Sequence, residues 1–395
     1  MKKIGILTFV FNNYGTILQT YALCQALKSL LDEQSYSVDV INMNMEWSKR
    51  LSKSNRWKER IKNLISTYGL NAWKPFLERV KWQFERKKII QKSDSSLIGK
   101  RDLLFNHLKS KIPYTKLITC DEIRNGALNS YDILISGSDQ VWNVDLTESL
   151  DIYFQSFLSA DELKNKKRLS YAASFGFQSI PVGRETQYKE YIKNMDSILV
   201  REEDAVSIVK SLERSDAKCV LDPTLLFDAN EWSKLLPQEK IIENDYVLVY
   251  SLNSSYRIYE EANRIAQKHN LKKVCLKRNF CPPNLDNSWI DLYCVSPEQF
   301  LHLIKNAKIV ITNSFHALVF SINFNTNFFA FLEKTDTVNS RLESILKKLG
   351  LESQICYEGS HINQDFNSID FSNANSILKK EREQSLKWLK YSIVN

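Results

Sequence analysis

Among the five histidines of the chain, His316 occupies the position best suited to acid–base chemistry. It follows a β-branched run at residues 309–311 and a polar turn at 312–314, and an apolar helical segment comes next at 317–322. This pattern predicts a buried strand, a turn and the start of a helix, whose unpaired N–H groups favour a bound anion. Because histidine exchanges protons near neutral pH, His316 is suited to act on a phosphate or carboxylate bound there. The alternative is a core histidine bonded to a backbone carbonyl.

Polar side chains that suit an anion or a sugar follow several other predicted strands. They are Asn13 and Gly15 after the first strand, Ser138, Asp139 and Gln140 after the strand that begins at Tyr131, Arg201 at the end of the strand 197–201, and Asn313 and Ser314 just before His316. The carboxyl ends of parallel strands face the ligand crevice, so these residues are candidates for substrate binding. For Arg201 two interpretations stay open: an anion ligand, or a salt-bridge partner of the acidic residues 202–204 that open the next helix.

The elements that position these residues alternate between strand and helix along almost the whole chain. Such alternation predicts parallel sheets with helices on their faces, and 395 residues exceed what one core usually serves. The predicted fold class is therefore α/β, with parallel sheets in two domains and the usual site in the cleft between them. We place the first domain at residues 1–205, with a basic helical insertion at about 46–110, and the second, carrying the His316 motif, at 206–375. Residues 376–395 are predicted to form a terminal helix that packs back on the first domain.

Composition narrows the class of protein. The seven cysteines are scattered, with no CxxC pair and no histidine at zinc-ligand spacing, so we expect reduced thiols, no metal and no cofactor. The chain opens directly on a strand without a charged and apolar leader, and no apolar run approaches the roughly 20 residues of a membrane span. These features predict a cytoplasmic protein rather than a secreted or integral one.

The net charge of +8 is concentrated in residues 47–92, which contain 14 Lys and Arg, three Glu and four tryptophans. The plain interpretation is a solvated helical insertion whose tryptophans pack on the first domain. The functional hypothesis is that this basic and aromatic surface contacts a polyanionic acceptor or makes a peripheral contact with the anionic inner face of the membrane. No nucleic acid is expected as a partner, because the chain has no recognisable nucleic-acid-binding module.

Seven motifs, spread in order over nearly the whole chain, resemble those of the polysaccharide pyruvyl transferase family. They are NNYGTILQTYAL (12–23), DILISGSDQVWN (132–143), SYAASFG (170–176), VREEDA (200–205), VLDPTLL (220–226), TNSFHALVFSINF (312–324) and NSRLESILKKLGL (339–351). Each motif alone is weak, and their order and spacing make the resemblance specific. The resemblance implies the two-domain fold of B-type glycosyltransferases, with two Rossmann-like domains facing across a cleft. It also implies transfer of the enolpyruvyl carbons of phosphoenolpyruvate to two hydroxyls of a sugar, as a cyclic ketal.

The resemblance further implies roles for individual residues. His316 would be the acid that protonates the methylene carbon of the donor, and Arg201 would hold the donor's phosphate or carboxylate. Many relatives have Arg-x-His where this chain has Ser-Phe-His at 314–316. Another cation, Arg341 or Lys277, is therefore expected to take the place of that arginine.

The predicted function is thus a pyruvyl transferase that acts on a surface polysaccharide or its precursor. Its partners would be phosphoenolpyruvate and a sugar acceptor that is lipid-linked, nucleotide-linked or polymeric. Two alternatives stay open. One is a nucleotide-sugar-dependent glycosyltransferase of the same fold, and the other is a non-catalytic carbohydrate-binding protein, which the serine in place of the family arginine would suit.

Overall fold

Two parallel sheets form the framework of the protein. The structure, a computed structural model, describes residues 1–44, 95–252, 257–276, 285–293, 295–332, 340–357, 360–362 and 368–395. Within these residues, twelve strands form two six-stranded sheets, and all pairings between strands are parallel. The α/β class predicted from the alternation of strands and helices is confirmed.

The first sheet contains the strands β1 (Lys2–Leu7), β2 (Tyr36–Val40), β3 (Ile133–Ser136), β4 (Lys167–Ala173), β5 (Ser197–Val200) and β6 (Lys218–Cys219). The second contains β7 (Tyr246–Tyr250), β8 (Lys272–Leu276), β9 (Trp289–Leu292), β10 (Ile309–Thr312), β11 (Phe328–Leu332) and β12 (Ile355–Tyr357). The first sheet thus continues beyond residue 205, where the sequence placed the end of the first domain.

The helices fill the connections between these strands. In chain order they are α1 (Tyr14–Leu30), α2 (Ser95–Leu104), α3 (Asn106–Lys109), α4 (Cys120–Glu122), α5 (Leu150–Tyr153), α6 (Ala160–Asn165), α7 (Glu185–Ile192), α8 (Glu203–Ser211), α9 (Ala229–Ser233), α10 (Arg257–His269), α11 (Pro297–Lys305), α12 (Phe315–Asn323), α13 (Ser340–Leu349) and α14 (Ser372–Val394). A π-helical turn at Ile123–Ala127 and 3₁₀ turns at Pro223–Leu225 and Glu352–Gln354 complete the described elements.

The strand order changes direction once in each sheet. The first sheet has the order β2-β1-β3-β4-β5-β6, which reverses between β1 and β3. The second has the order β12-β11-β10-β7-β8-β9, which is the order of a Rossmann fold and reverses between β10 and β7. In open parallel sheets, ligands bind beside the carboxyl ends of the two strands where the order reverses. The fold therefore points to the residues that follow β1, β3, β7 and β10.

β3 and β10, which lie at these reversal points, are buried along their whole length. Strands covered by helices on both faces need apolar side chains at every position, so they read as continuous apolar runs rather than alternating ones. The Ile-Val-Ile run of β10 was recognisable in the sequence for this reason. Thr312, the last residue of β10, pairs with Tyr250, the last residue of β7, so the two strands end at the same level.

Helix α1 brings the two sheets into contact. Tyr14, its first residue, stacks on Phe300 of α11 with ring centroids 4.6 Å apart and ring planes 4° apart. Its hydroxyl donates to the carbonyl of Val295, 3.1 Å away. Both rings are fully buried, and one hydrophobic cluster contains side chains from both sheets. The first turn of α1 is thus held against the second sheet's helices.

The terminal helix α14 packs against the first sheet although it follows the second in the chain. The hydroxyl of Ser385 accepts a hydrogen bond from the backbone N–H of Leu221, just after β6. Arg382 donates to the carbonyl of Leu225 at 2.6 Å and to the side-chain oxygen of Asn323 at 2.9 Å. Because Asn323 ends α12, the terminal helix connects the end of β6 to the end of α12.

Some features of the fold differ from the sequence prediction or lie beyond the structure. β9 and β12 were not predicted, because they are edge strands of four and three residues, too short for a periodicity to show. α14 begins at Ser372, earlier than residue 376. The described residues do not include most of the insertion predicted at 46–110. The basic segment 47–92, on which the membrane hypothesis rests, also lies outside them.

Candidate active site

The turn between β10 and α12 fixes the position of His316. The Thr312 hydroxyl donates to the carbonyl of Tyr250 at 2.6 Å and accepts from the N–H of Ser314 at 3.0 Å. Ser314 is the N-cap of α12, and its hydroxyl accepts from the N–H of Ala317. A serine at this position satisfies an N–H group that the first turn would otherwise leave unpaired. His316 consequently lies in the first turn of α12, which begins at Phe315, two residues earlier than the helical segment predicted at 317–322.

The His316 ring lies directly against the first turn of α1. A Cβ atom built on Gly15 would lie only 2.0 Å from His316 Nδ1, so no residue with a side chain fits there without displacing the ring. Asn13 is the N-cap of α1, and its Oδ1 accepts from the N–H of Gly15 at 3.0 Å. Two of the predicted site residues, Asn13 and Gly15, therefore shape the surface on which the His316 imidazole rests.

Arg201, at the end of β5, is surrounded by carboxylates. Its side chain is 2% exposed, and Nη1 donates to Asp222 Oδ2 at 3.1 Å. Nη1 also lies 3.8 Å from Asp139 Oδ1, and Nε lies 3.6 Å from Glu202 Oε2. Arg201 thus forms ion pairs with Glu202, one of the acidic residues 202–204 considered from the sequence, and with Asp222 and Asp139, which were not considered.

Asp222 is the carboxylate that ties this cluster together. One of its oxygens accepts from Ser138 Oγ at 3.0 Å and from Arg201, and the other accepts from the N–H and the hydroxyl of Thr224 at 3.0 and 2.7 Å. Burial raises the pKa of the Asp222 carboxyl, but the neighbouring charges of His316 and Arg201 and the Thr224 hydrogen bonds outweigh burial and leave the pKa below its ordinary value. Asp222 is therefore ionised and has its hydrogen-bonding capacity filled.

The pKa of the His316 imidazole lies below its ordinary value of 6.5. Burial is the largest cause, since it disfavours the charged form. The carboxylates of Asp222 and Asp139 oppose the shift, and the guanidinium groups of Arg201 and Arg341 reinforce it. Among the described residues, none forms a hydrogen bond with His316 Nε2, which is buried. The structure thus offers no backbone carbonyl for that nitrogen, and the core-histidine alternative loses support there.

Phe315 brings the two predicted arginines into one region. The Arg201 guanidinium carbon lies 4.7 Å from the centre of the Phe315 ring, and that of Arg341 lies 6.0 Å from it. Both arginine side chains are buried, and a buried guanidinium group gains from contact with an aromatic face. The residue in the middle of the Ser-Phe-His motif therefore helps to fix the positions of both cations.

A pocket that opens to solvent lies beside this cluster. It is formed where the end of the first sheet meets α12 and α13. Its polar and aromatic lining residues include Arg201, Glu202, Asp222, Phe315, Arg341 and Lys348.

The other predicted site residues make local contacts in the structure. Asn313 Oδ1 accepts from the N–H of Leu252, just after β7. Gln140 Oε1 accepts from Asn143, and Asp139 Oδ1 accepts from the N–H of Gln140. Asn313 and Gln140 thus stabilise turns at the carboxyl edges of their sheets. Lys277 lies outside the described residues.

Two buried acidic residues of the cluster, Glu202 and Asp222, were not among the predicted site residues. Both lie in motifs that the sequence singled out, VREEDA and VLDPTLL, but neither stood out as a site residue there. A signal did exist for Asp222, since it follows a strand and precedes Pro223, where an ionised side chain faces the crevice. No comparable signal existed for Glu202, which reads as an ordinary acidic residue at a helix start.

The described residues contain no group of three or more His, Cys, Asp and Glu side chains arranged to hold a metal ion. Among the described residues, no helix is both long enough and apolar enough to span a bilayer.

Comparisons with known proteins show which proteins the chain resembles. The family model for polysaccharide pyruvyl transferase matches residues 13–334. No curated protein matches the chain. Among solved structures, a putative UDP-N-acetylglucosamine 2-epimerase from Listeria monocytogenes is similar with a TM-score of 0.50 and 9% identity, over 98% of this chain and 90% of that one. UDP-GlcNAc 2-epimerase from Methanocaldococcus jannaschii gives 0.47 and 12%, over 96% and 92%. E. coli ADP-heptose lps heptosyltransferase II gives 0.38 and 11%, over 96% and 99%.

At 9% identity the similarity to the epimerase from Listeria monocytogenes concerns the fold alone. The family match is of a different kind, because it extends over most of the chain and includes Gly15, Arg201 and His316. The chain therefore belongs to the polysaccharide pyruvyl transferase family.

Proposed function

We propose that the protein transfers the enolpyruvyl group of phosphoenolpyruvate to two hydroxyls of a sugar and so forms a cyclic pyruvate ketal. The observation that carries the proposal is the His316 imidazole, whose buried Nε2 has no hydrogen-bond partner among the described residues, near the guanidinium groups of Arg201 and Arg341. Phosphoenolpyruvate has a phosphate and a carboxylate that suit guanidinium groups, and a methylene carbon that must be protonated. Its functional groups thus match those of the site.

The reaction places a definite demand on His316. Protonated His316 gives its proton to the methylene carbon of the donor, which becomes a methyl group and leaves C2 electrophilic. A sugar hydroxyl then forms a bond to C2, the bond between C2 and the phosphate oxygen breaks, and a second hydroxyl of the same sugar attacks C2. One of the two hydroxyl protons leaves with the phosphate, and the other remains on the protein. The acceptor in this proposal is a sugar of a surface polysaccharide or of its precursor.

A calorimetric titration separates this function from its competitors. We expect phosphoenolpyruvate to bind and UDP and ADP not to bind, because the donor site is proposed to hold a small carboxylate and phosphate. With methyl hexopyranosides as acceptors, phosphate release should then follow only when two hydroxyls are placed to close a ring. Binding of a nucleotide diphosphate without phosphoenolpyruvate would favour a nucleotide-sugar-dependent glycosyltransferase, and sugar binding without turnover would favour a carbohydrate-binding protein.

Replacing Arg201 by alanine should weaken phosphoenolpyruvate binding by about tenfold to a hundredfold, since a charge-assisted hydrogen bond contributes roughly 1.5–3 kcal/mol. The substitution also leaves Asp222 without its cation, so the melting temperature should fall. Arg168→Ala is the matched control, because Arg168 is a buried arginine outside the site that pairs with Asp196 at 3.1 Å. That variant should also melt earlier but keep its affinity for the donor. Equal donor affinity in both variants would assign Arg201 a structural role only.

A further inference from the structure

Three buried polar atoms beside the pocket have no hydrogen-bond partner among the described residues: Nε and Nη2 of Arg201, and Oε2 of Glu202. Arg201 Nε and Glu202 Oε2 face each other as an ion pair at 3.6 Å, a distance longer than that of a hydrogen bond. The side chains of these two residues are 2% and 3% exposed, so bulk water is not a ready substitute. A buried polar group without a partner costs about 1–3 kcal/mol. Proteins seldom retain such groups unless a ligand or an ordered water completes them. Because both residues line the pocket, a ligand bound in it is the natural partner.

The three atoms differ in what they require. The two nitrogens of Arg201 are donors and need an acceptor, such as an oxygen of a phosphate or carboxylate. An ionised Glu202 Oε2 is an acceptor and needs a donor. Phosphoenolpyruvate in its ionised form has acceptor oxygens but no hydrogen-bond donor, so it can accept from Arg201 but cannot give Glu202 a hydrogen bond. A sugar hydroxyl is a donor, and it would satisfy Glu202.

The rest of the Glu202 side chain is held in place. Its Oε1 accepts from the hydroxyl of Ser174 at 2.7 Å, which leaves Oε2 as the oxygen able to take part in a reaction. Burial raises the pKa of the Glu202 carboxyl, and the nearby Arg201 and Arg341 only partly reverse that shift. Asp222 is the contrast within the same cluster, because its oxygens are fully engaged and its pKa is lowered. In enzymes, acid–base pairs are typically two groups whose environments shift their pKa values in opposite directions.

We propose that Glu202 is the base that accepts the proton of the sugar hydroxyl attacking C2, an inference that rests on the proposed function. As the oxygen of that hydroxyl bonds to C2, its proton moves to Glu202 Oε2. The carboxylic acid then gives this proton to the departing phosphate oxygen as the C2–O bond breaks. The carboxylate so regenerated takes the proton of the second hydroxyl when the ring closes. One turnover thus ends with neutral His316 and protonated Glu202, and the solvent restores the starting forms.

Other charged or titratable groups face the same pocket and must be considered in a pH profile. They are Arg201 at the end of β5, Cys219 and Asp222 at the end of β6, and Arg341 and Lys348 on α13. Burial raises the pKa of Cys219. The pKa of Lys348 is also raised, although burial alone would lower it, because Cys219 and Glu381 favour its charged form. Glu202 is therefore the group of this pocket whose pKa is raised from an ordinary value of 4.5 toward neutral pH.

Glu202→Gln tests the proposal, because glutamine keeps the shape of the side chain and a bond to Ser174 but cannot accept a proton. Calorimetry measures phosphoenolpyruvate binding, and an assay with methyl hexopyranosides measures phosphate release. Both are carried out on wild type, on Glu202→Gln and on the control Glu203→Gln. Glu203 is the neighbouring carboxylate, 61% exposed and 3.5 Å from Lys348, so its variant loses the same charge outside the pocket. We expect kcat of Glu202→Gln to fall by about 10²- to 10⁴-fold with donor affinity nearly unchanged. The acidic limb of the kcat profile should disappear in that variant alone.

The outcomes separate this inference from the proposed function. A wild-type protein that releases no phosphate from phosphoenolpyruvate with any acceptor overturns the proposed function and this inference with it. If wild type is active and Glu202→Gln retains its turnover and its acidic limb, the proposed function stands and Glu202 is not the base. A variant with weak donor binding and normal turnover at saturation would limit the role of Glu202 to its ion pair with Arg201 and would overturn the inference.

Discussion

Replacing His316 by glutamine should lower turnover by about 10²- to 10⁴-fold, the usual contribution of a positioned general acid, while phosphoenolpyruvate still binds. Glutamine keeps a hydrogen-bond donor of similar reach but has no proton to give to the methylene carbon. Phosphate release and donor binding, measured on one preparation with its melting temperature, test this expectation. A purely structural His316 would instead lower the melting temperature and leave turnover per folded molecule near that of wild type.

The pH dependence gives a second, independent measure of the same role. The acid must be protonated, and burial lowers the pKa of His316 below 6.5 in the free protein. We therefore expect kcat/KM to fall as the pH rises through that lowered pKa, because kcat/KM reports the free enzyme. The anionic donor favours the charged imidazole, so the corresponding limb of kcat should lie at higher pH. His107→Gln is the control, since His107 is 68% exposed and bonded to Glu298, and it should leave both limbs in place.

Replacing Gly15 by alanine should reduce turnover by about 10²-fold, although it adds only one methyl group far along the chain from His316. The added Cβ would lie 2.0 Å from His316 Nδ1 and 2.3 Å from its Cγ, so the ring must move. A displacement of about 1 Å in a catalytic group can cost about 10²-fold in rate. Phosphate release measured beside donor affinity tests the prediction, and we expect kcat to change more than the affinity.

A matched glycine shows what alanine does where there is room. A Cβ built on Gly99, an exposed residue of α2, has no atom within 4 Å. Gly99→Ala should therefore stabilise the protein by about 0.5–1 kcal/mol, the helix-interior difference between glycine and alanine, and leave turnover intact. If Gly15→Ala behaved like Gly99→Ala, the close packing of His316 on α1 would not matter for the reaction.

The sequence was sufficient to predict the strand and helix that carry His316. A fully buried run such as Ile-Val-Ile, followed by residues that favour turns and caps, has few other interpretations. Arg201 and Asp139 were likewise placed at strand ends from local pattern. These predictions succeed because strand, turn and cap preferences act over a few residues. The short edge strands β9 and β12 carry too little local signal, so they were missed.

The contacts that make the site could not be predicted in the same way. Gly15 and His316 touch although 300 residues separate them, and a single glycine in a turn has many explanations. The same holds for Arg201 and Asp222, whose pairing depends on how β5 and β6 lie side by side. From the sequence, Arg201 could be paired only with the acidic residues next to it. Which carboxylate pairs with Arg201 depends on contacts between residues far apart in the chain. A single sequence carries no local signal of those contacts.

The contact of α1 with the second sheet has a consequence for recombination between related chains. Tyr14 stacks on Phe300, and Gly15 lies under His316, so the first turn of α1 is shaped by residues that come much later in the chain. A chimera joined near residue 240 would inherit the two members of each contact from different parents. Such a chimera should be active only when both parents share the glycine, the histidine and the aromatic pair, so these four positions behave as one inherited unit across the joint.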